Sequence, residues 1–164
     1  MGLDQYLYGK KCLSVFEEKE IGQIKEINTI LGYKTEITNE GTKDERVNYN
    51  SFYPQEIKFE VAYWRKSNQI HAWFVNNCQD GIDECQESYV QEGKLEELLA
   101  IIKQVLEDHS LAEKLLPNTQ GFFFGGNEYD EWYFEDLKDT QKKLNAILTE
   151  DKYKGLEFYY QSSW

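Results

Sequence analysis

A chain of 164 residues, 40% of them hydrophobic, carries 30 acidic against 18 basic side chains and a formal charge of −12. That length supports one hydrophobic core and one domain, 1–164, while the charge opposes phosphate, so direct DNA or RNA binding is not expected. No run reaches the eighteen or so apolar residues of a membrane span and the charged, Tyr-rich start lacks the apolar segment of a signal peptide, so a cytoplasmic protein away from membranes is expected.

In chain order, "LDQYLYG" reads as an opening strand ended by Gly9. In "SVFEEKEIGQIKEINTILG", Phe16, Ile24, Ile27 and Leu31 recur at helical spacing, Ser14 with Glu17 fits a capping box, and Gly32 is a stop. Residues 33–53 are polar, with Gly41 and few apolar anchors, and read as a weak strand followed by a long flexible loop. Tyr63, Ile70, Phe74 and Cys78 then form a stripe that predicts a helix from Val61 to Asn77. "LEELLAIIKQVLED" is amphipathic, with Leu95, Leu98, Leu99, Ile102 and Leu106 on one face and acids in its first turn, where the helix dipole favours them.

"SLAEKLL" predicts a short helix before Pro117, and "GFFFG" a strand apolar on both faces. "YDEWYFEDLKDTQKKLNAIL" predicts a last long helix with Tyr133, Leu137, Leu144 and Leu148 inward, and "LEFYYQSSW" a closing strand with Leu156, Phe158 and Tyr160 on one face. Four to five helices on a small mixed or antiparallel sheet make an α+β fold.

The chemistry-bearing residues gather in two places. Trp64, Asn68 and His71 stand at i, i+4 and i+7 of the predicted second helix, with Arg65 beside them. A ring to stack on, an amide to read a base edge and cationic donors for phosphate would suit a small nucleotide, although Trp, Asn and His at that spacing also describe a core helix with a satisfied histidine. The second place is "GFFFGGNEYDEWYFEDLKD", which packs seven aromatic rings and six carboxylates into nineteen residues. Core packing accounts for its phenylalanines. It does not account for Tyr129 and Trp132 among Glu128, Asp130, Glu131 and Glu135, a mixture suited to a protein interface.

Three cysteines, Cys12, Cys78 and Cys85, suggest reduced thiols. Steps of seven from His71 to Cys78 to Cys85 would set helical neighbours about 10 Å apart, too far to share a zinc ion. No metal ligands, catalytic residues or cofactor are assigned. Carboxylates from Asp130 to Asp139 stand at metal-binding spacings, yet no His or Lys at a diagnostic spacing accompanies them, and there is no phosphate-binding glycine loop or nucleophile elbow.

Four blocks, "MGLDQYLY", "VAYWRKSNQIHAWFV", "GFFFG…EYDEWYFEDL" and "FYYQSSW", resemble a family of small proteins found in bacteriophages and prophages. The resemblance covers most of the chain outside Tyr33 to Tyr53. It brings no catalytic residues, and implies an accessory role in an infected host cell. The expectation is a phage-encoded protein that acts by stoichiometric binding, inhibiting a host or anti-phage defence factor with a basic surface through the acidic, aromatic stretch. The alternatives are a protein that sequesters a small nucleotide and, third, a metal-dependent hydrolase.

Overall fold

The computed structural model describes residues 2–38, 46–48, 53–119 and 128–164. The strand expected at "GFFFG" lies outside them.

Six strands and five helices are found among the described residues: β1 (Asp4–Cys12), α1 (Glu18–Leu31), β2 (Ile37–Thr38), β3 (Arg46–Val47), β4 (Glu56–Arg65), α2 (Asn68–Cys78), β5 (Ser88–Val90), α3 (Lys94–Glu107), α4 (Ala112–Leu115), α5 (Glu131–Thr149) and β6 (Glu157–Ser163). Strands β4-β1-β6-β5 form an antiparallel sheet in that order, with Tyr89 opposite Tyr159 where β5 meets β6. β2 and β3 form a second, antiparallel pair, Ile37 opposite Val47. The fold is α+β, as the alternation of patterns suggested.

The chain packs as two compact units, Met1–Gly9 with Phe59–Trp164, and Lys10–Lys58. In the smaller one, Ile21 and Ile24 of α1 are buried with Leu13, Val15 and Val47. Gly32 closes α1 in the left-handed conformation, its N–H on the Thr29 carbonyl while the Tyr33 N–H reaches Asn28. The start of α1 differs from expectation. The helix begins at Glu18, and Ser14 makes no capping box: its backbone N–H is bound by the Glu20 carboxylate at 2.7 Å and its hydroxyl accepts from the Phe16 N–H. Phe16 therefore precedes the helix and is 70% exposed, and Leu31, the last helical residue, is exposed as well.

In the larger unit, Leu7, Ala62, Trp64, Val90 and Tyr160 of the sheet face Ile70, Trp73 and Phe74 of α2, the buried stripe of α3, and Tyr133, Leu137, Leu144 and Ile147 of α5. The predicted faces of α3 and α5 are seen, with Leu106 and Leu148 only partly buried at their edges. The helix expected over Val61–Asn77 is corrected. Residues 56–65 form a strand because "EIKFEVAYWR" is rich in β-branched and aromatic residues and alternates, Ala62 and Trp64 inward and Tyr63 and Arg65 outward. Lys66, at φ 61°, turns the chain, and α2 starts only at Asn68. β5, a three-residue strand inside an acidic run, was not anticipated from sequence.

Close packing inside this unit concentrates at Gly9. A Cβ there would lie 2.7 Å from Leu156 Cδ1 and 3.0 Å from Val61 Cγ1. Gly9→Ala is therefore expected to cost about 1–2 kcal/mol by overpacking, read as a lowered urea midpoint. An unchanged midpoint would mean that Leu156 swings aside freely.

Candidate functional site

Trp64 and His71 do not share a helix face. Trp64 is an inward residue of β4 whose indole Nε1 donates to Thr140 Oγ1 of α5 at 2.9 Å, and His71 lies in the first turn of α2; each is 2% exposed. His71 Nε2 is 2.9 Å from Asp83 Oδ2, and Nδ1 is 2.8 Å from the Tyr160 hydroxyl. That hydroxyl donates to Gln5 Oε1, Gln5 Nε2 donates to the Ser67 carbonyl, and Ser162 Oγ and Trp164 Nε1 both donate to Asp83 Oδ1. Burial holds the Tyr160 phenol well above its ordinary range. This is the satisfied core histidine, with its ring engaged inside the fold. The burial that core packing requires of an aromatic strand residue removes Trp64 as a stacking platform.

Arg65 and Asn68 lead elsewhere. Because Lys66 reverses the chain between β4 and α2, Arg65 and Lys66 come beside the first residues of α2, and these four positions line a cavity of about 400 Å³ with the first residues of α5. From α2 come Asn68 and Gln69; from the α5 end come Glu128, Asp130, Trp132 and Asp136. Local bonds set each wall. Asp130 caps α5 by accepting the Tyr133 N–H at 3.0 Å, and the Tyr133 hydroxyl donates to the Leu116 carbonyl. Asn118 ties to the same end through the Glu128 carbonyl and the Tyr129 hydroxyl, while the Thr119 N–H donates to Asn68 Oδ1.

Two members carry unusual environments. Burial raises the Asp136 carboxyl above its ordinary value, against the Ser67 hydroxyl and Gln69 amide beside it, which favour the ionised form. Gln69 is 3% exposed, with its amide within reach of the Asp136 carboxyl. At the rim, Trp132 is 80% exposed, an extreme value for a tryptophan. Glu128, Tyr129, Asp130, Glu131 and Glu135 are exposed too, and Glu135 is bridged to Lys138.

No protein-family model, curated protein or solved structure matches the chain.

The structure brings half of one expected site, Arg65 and Asn68, to the edge of the other. Sequence reasoning missed Gln69 and treated Asp136 as one acid among many. Of the cysteines, Cys78 is half-buried, which pushes its thiol up to about 11 and keeps it protonated at neutral pH. Among the described residues no three His, Cys, Asp or Glu side chains converge as a metal ion would require, and no helix is long and apolar enough to cross a membrane.

Proposed function

We propose that the protein acts by stoichiometric binding of a basic protein partner through the exposed start of α5. The observation that carries this reading is Trp132, which stands 80% exposed beside Glu128, Asp130 and Glu131. An exposed tryptophan loses hydration free energy that the fold does not recover, and such residues are the ones that dominate protein interfaces. The carboxylates around it supply the complementary half, steering a basic surface and fixing its orientation. Resemblance to phage and prophage proteins supports a host or anti-phage defence protein as that partner, and inhibition as the outcome.

The test is capture from host lysate followed by kinetics on the isolated pair. Trp132→Ala is expected to weaken binding roughly 30-fold, as for a hot spot of about 2 kcal/mol, chiefly by faster dissociation. Asp130→Asn with Glu131→Gln keeps the cap on α5 and is expected to slow association instead. Association should also slow as salt rises, since the screening length falls from about 10 Å at 0.1 M to about 3 Å at 1 M. Binding indifferent to all three substitutions and to salt would reduce this surface to a solvated helix end.

A further inference from the structure

We propose that the outer face of the four-stranded sheet, the face turned away from the helices, binds an extended arginine-rich segment of a partner protein. It uses other residues than docking at the start of α5 and does not rest on it. The starting point is the alternation of the strands. Leu7, Ala62, Trp64, Val90 and Tyr160 point inward, so the side chains one residue away point outward. There stand Tyr6 and Tyr8 of β1, Tyr63 of β4, Tyr89 of β5 and Tyr159 of β6, so every strand of this sheet contributes a tyrosine. Tyr63 is 37% and Tyr89 47% exposed, and the other three are half-buried. The rings gather in two groups: Tyr6 is stacked with Tyr8 at 5.8 Å and lies 5.4 Å from Tyr63, while Tyr89 and Tyr159 meet at 5.5 Å. Because β1 and β6 are neighbours in the sheet, the two groups lie side by side.

Carboxylates are interleaved with the rings. Asp4, Glu87 and Glu157 each stand two residues before one of these tyrosines, the spacing that returns an extended chain to the same face. The Tyr63 hydroxyl donates to Asp4, and the Tyr159 hydroxyl to Glu157 at 3.4 Å. Burial raises the Tyr8 phenol above its ordinary value, and the neighbouring Tyr6, Glu60 and Glu87 raise it further. A phenol that donates to a carboxylate has a more electron-rich ring, whose faces attract a cation more strongly. At the β5 edge, Tyr89 and Glu157 also line a hollow of about 280 Å³ with Leu156, Phe158, Glu92 and Glu96. Such a wall offers apolar surface to a methylene stem and carboxylates to its charged end. At the β4 edge, Arg65 and Lys143 are turned to Asp4 and Asp139.

Ring faces with acceptors between them select a guanidinium. It stacks flat on an aromatic ring while its N–H fork meets a carboxylate in two parallel bonds, which an ammonium cannot do. Strands about 4.8 Å apart make the face about 14 Å across, and alternate side chains of an extended segment lie about 6.8 Å apart, so about three arginines fit over it. A nucleic acid would find rings to stack on, but its phosphates would meet the carboxylates. A second copy of this chain laid face to face would bring Asp4, Glu87 and Glu157 against like charges.

Dye-labelled peptides of about ten residues, alternating arginine or lysine with glycine, and an oligouridine of the same length are the probes, titrated by fluorescence anisotropy. The arginine peptide is expected to bind at least fivefold more tightly than the lysine peptide, and the oligouridine not at all. Tyr63→Thr with Tyr89→Thr keeps residues suited to strands and removes two exposed rings, so the melting temperature is expected to hold. Its affinity for the arginine peptide is expected to fall roughly 5- to 30-fold, as for two cation–π contacts. Glu87→Gln with Glu157→Gln keeps every ring and carries the test should the threonine pair fail to fold. That variant is expected to bind at least fivefold more weakly and with a flatter dependence on salt. Position is read by NMR: the ring signals of Tyr6, Tyr89 and Tyr159 are expected to move on adding the arginine peptide while the indole N–H of Trp132 stays, which separates this face from the start of α5. No binding of the arginine peptide, equal affinity for the lysine peptide, tighter binding of the oligouridine, a folded tyrosine or glutamate variant that binds normally, or a shift confined to Trp132 would each overturn the assignment.

Discussion

Phe74→Ala is expected to remove about 3–5 kcal/mol of stability, the range for truncating a fully buried aromatic side chain. Phe74 is completely buried on α2, where its ring stacks on Tyr160 of β6 at 4.1 Å between centroids and 7° between planes, and meets Trp73 edge-on at 5.3 Å. It is the side chain through which α2 grips the inner face of the sheet. A domain of this size holds about 5–15 kcal/mol in total, so the variant loses about a fifth of it or more. Urea unfolding should show a lower midpoint with an unchanged slope. Phe59→Ala is the control, since Phe59 on β4 is 47% exposed and should move the midpoint little. Equal effects at both positions would mean that the ring stack contributes nothing beyond bulk hydrophobicity.

The elements legible in the sequence were those with one dominant period. α3 announced itself because Leu95, Leu98, Leu99 and Ile102 repeat at 3.6 residues with acids at the dipole's positive end, and tertiary packing uses that same stripe. β4 was misread because Tyr63, Ile70, Phe74 and Cys78 happen to continue a helical stripe across the break at Lys66. Nothing in a lysine marks a left-handed turn. Glycine or asparagine there would have done so. The capping box at Ser14 failed for a related reason: Glu20, not Glu17, reaches back, and the helix start moves with it.

The candidate site was half legible. Arg65 and Asn68 were both expected on one helix; Asn68 does open α2, but Arg65 ends β4, whereas His71 and Trp64 matched the pattern only because core packing shares it. Asp136 had a readable signal. It sits three residues after Tyr133 and four before Thr140, both buried, so helical phase alone sets it at the margin of the buried face, apart from the exposed Glu131 and Glu135. The environment of Gln69 had none, because its amide meets the Asp136 carboxyl only where α2 and α5 come together.

His71→Ala separates a structural histidine from a ligand-binding one. Two hydrogen bonds are lost, to Asp83 and Tyr160, and an imidazole-sized hole opens beside a fully buried phenol. Tyr160 retains Gln5, and Asp83 retains Ser162 and Trp164 and is partly open to water, so neither is stranded completely. The expected loss is therefore about 2–4 kcal/mol, the sum of modest hydrogen-bond terms and a cavity. Partner binding by the folded variant is expected to match the native protein, because His71 is buried away from the exposed start of α5. His71→Phe should recover only part of the loss, since it refills the volume but leaves the Asp83 carboxylate facing an apolar ring. The opposite pattern, with stability intact and partner binding gone, would return His71 to a binding site and require α2 to present a different face in solution.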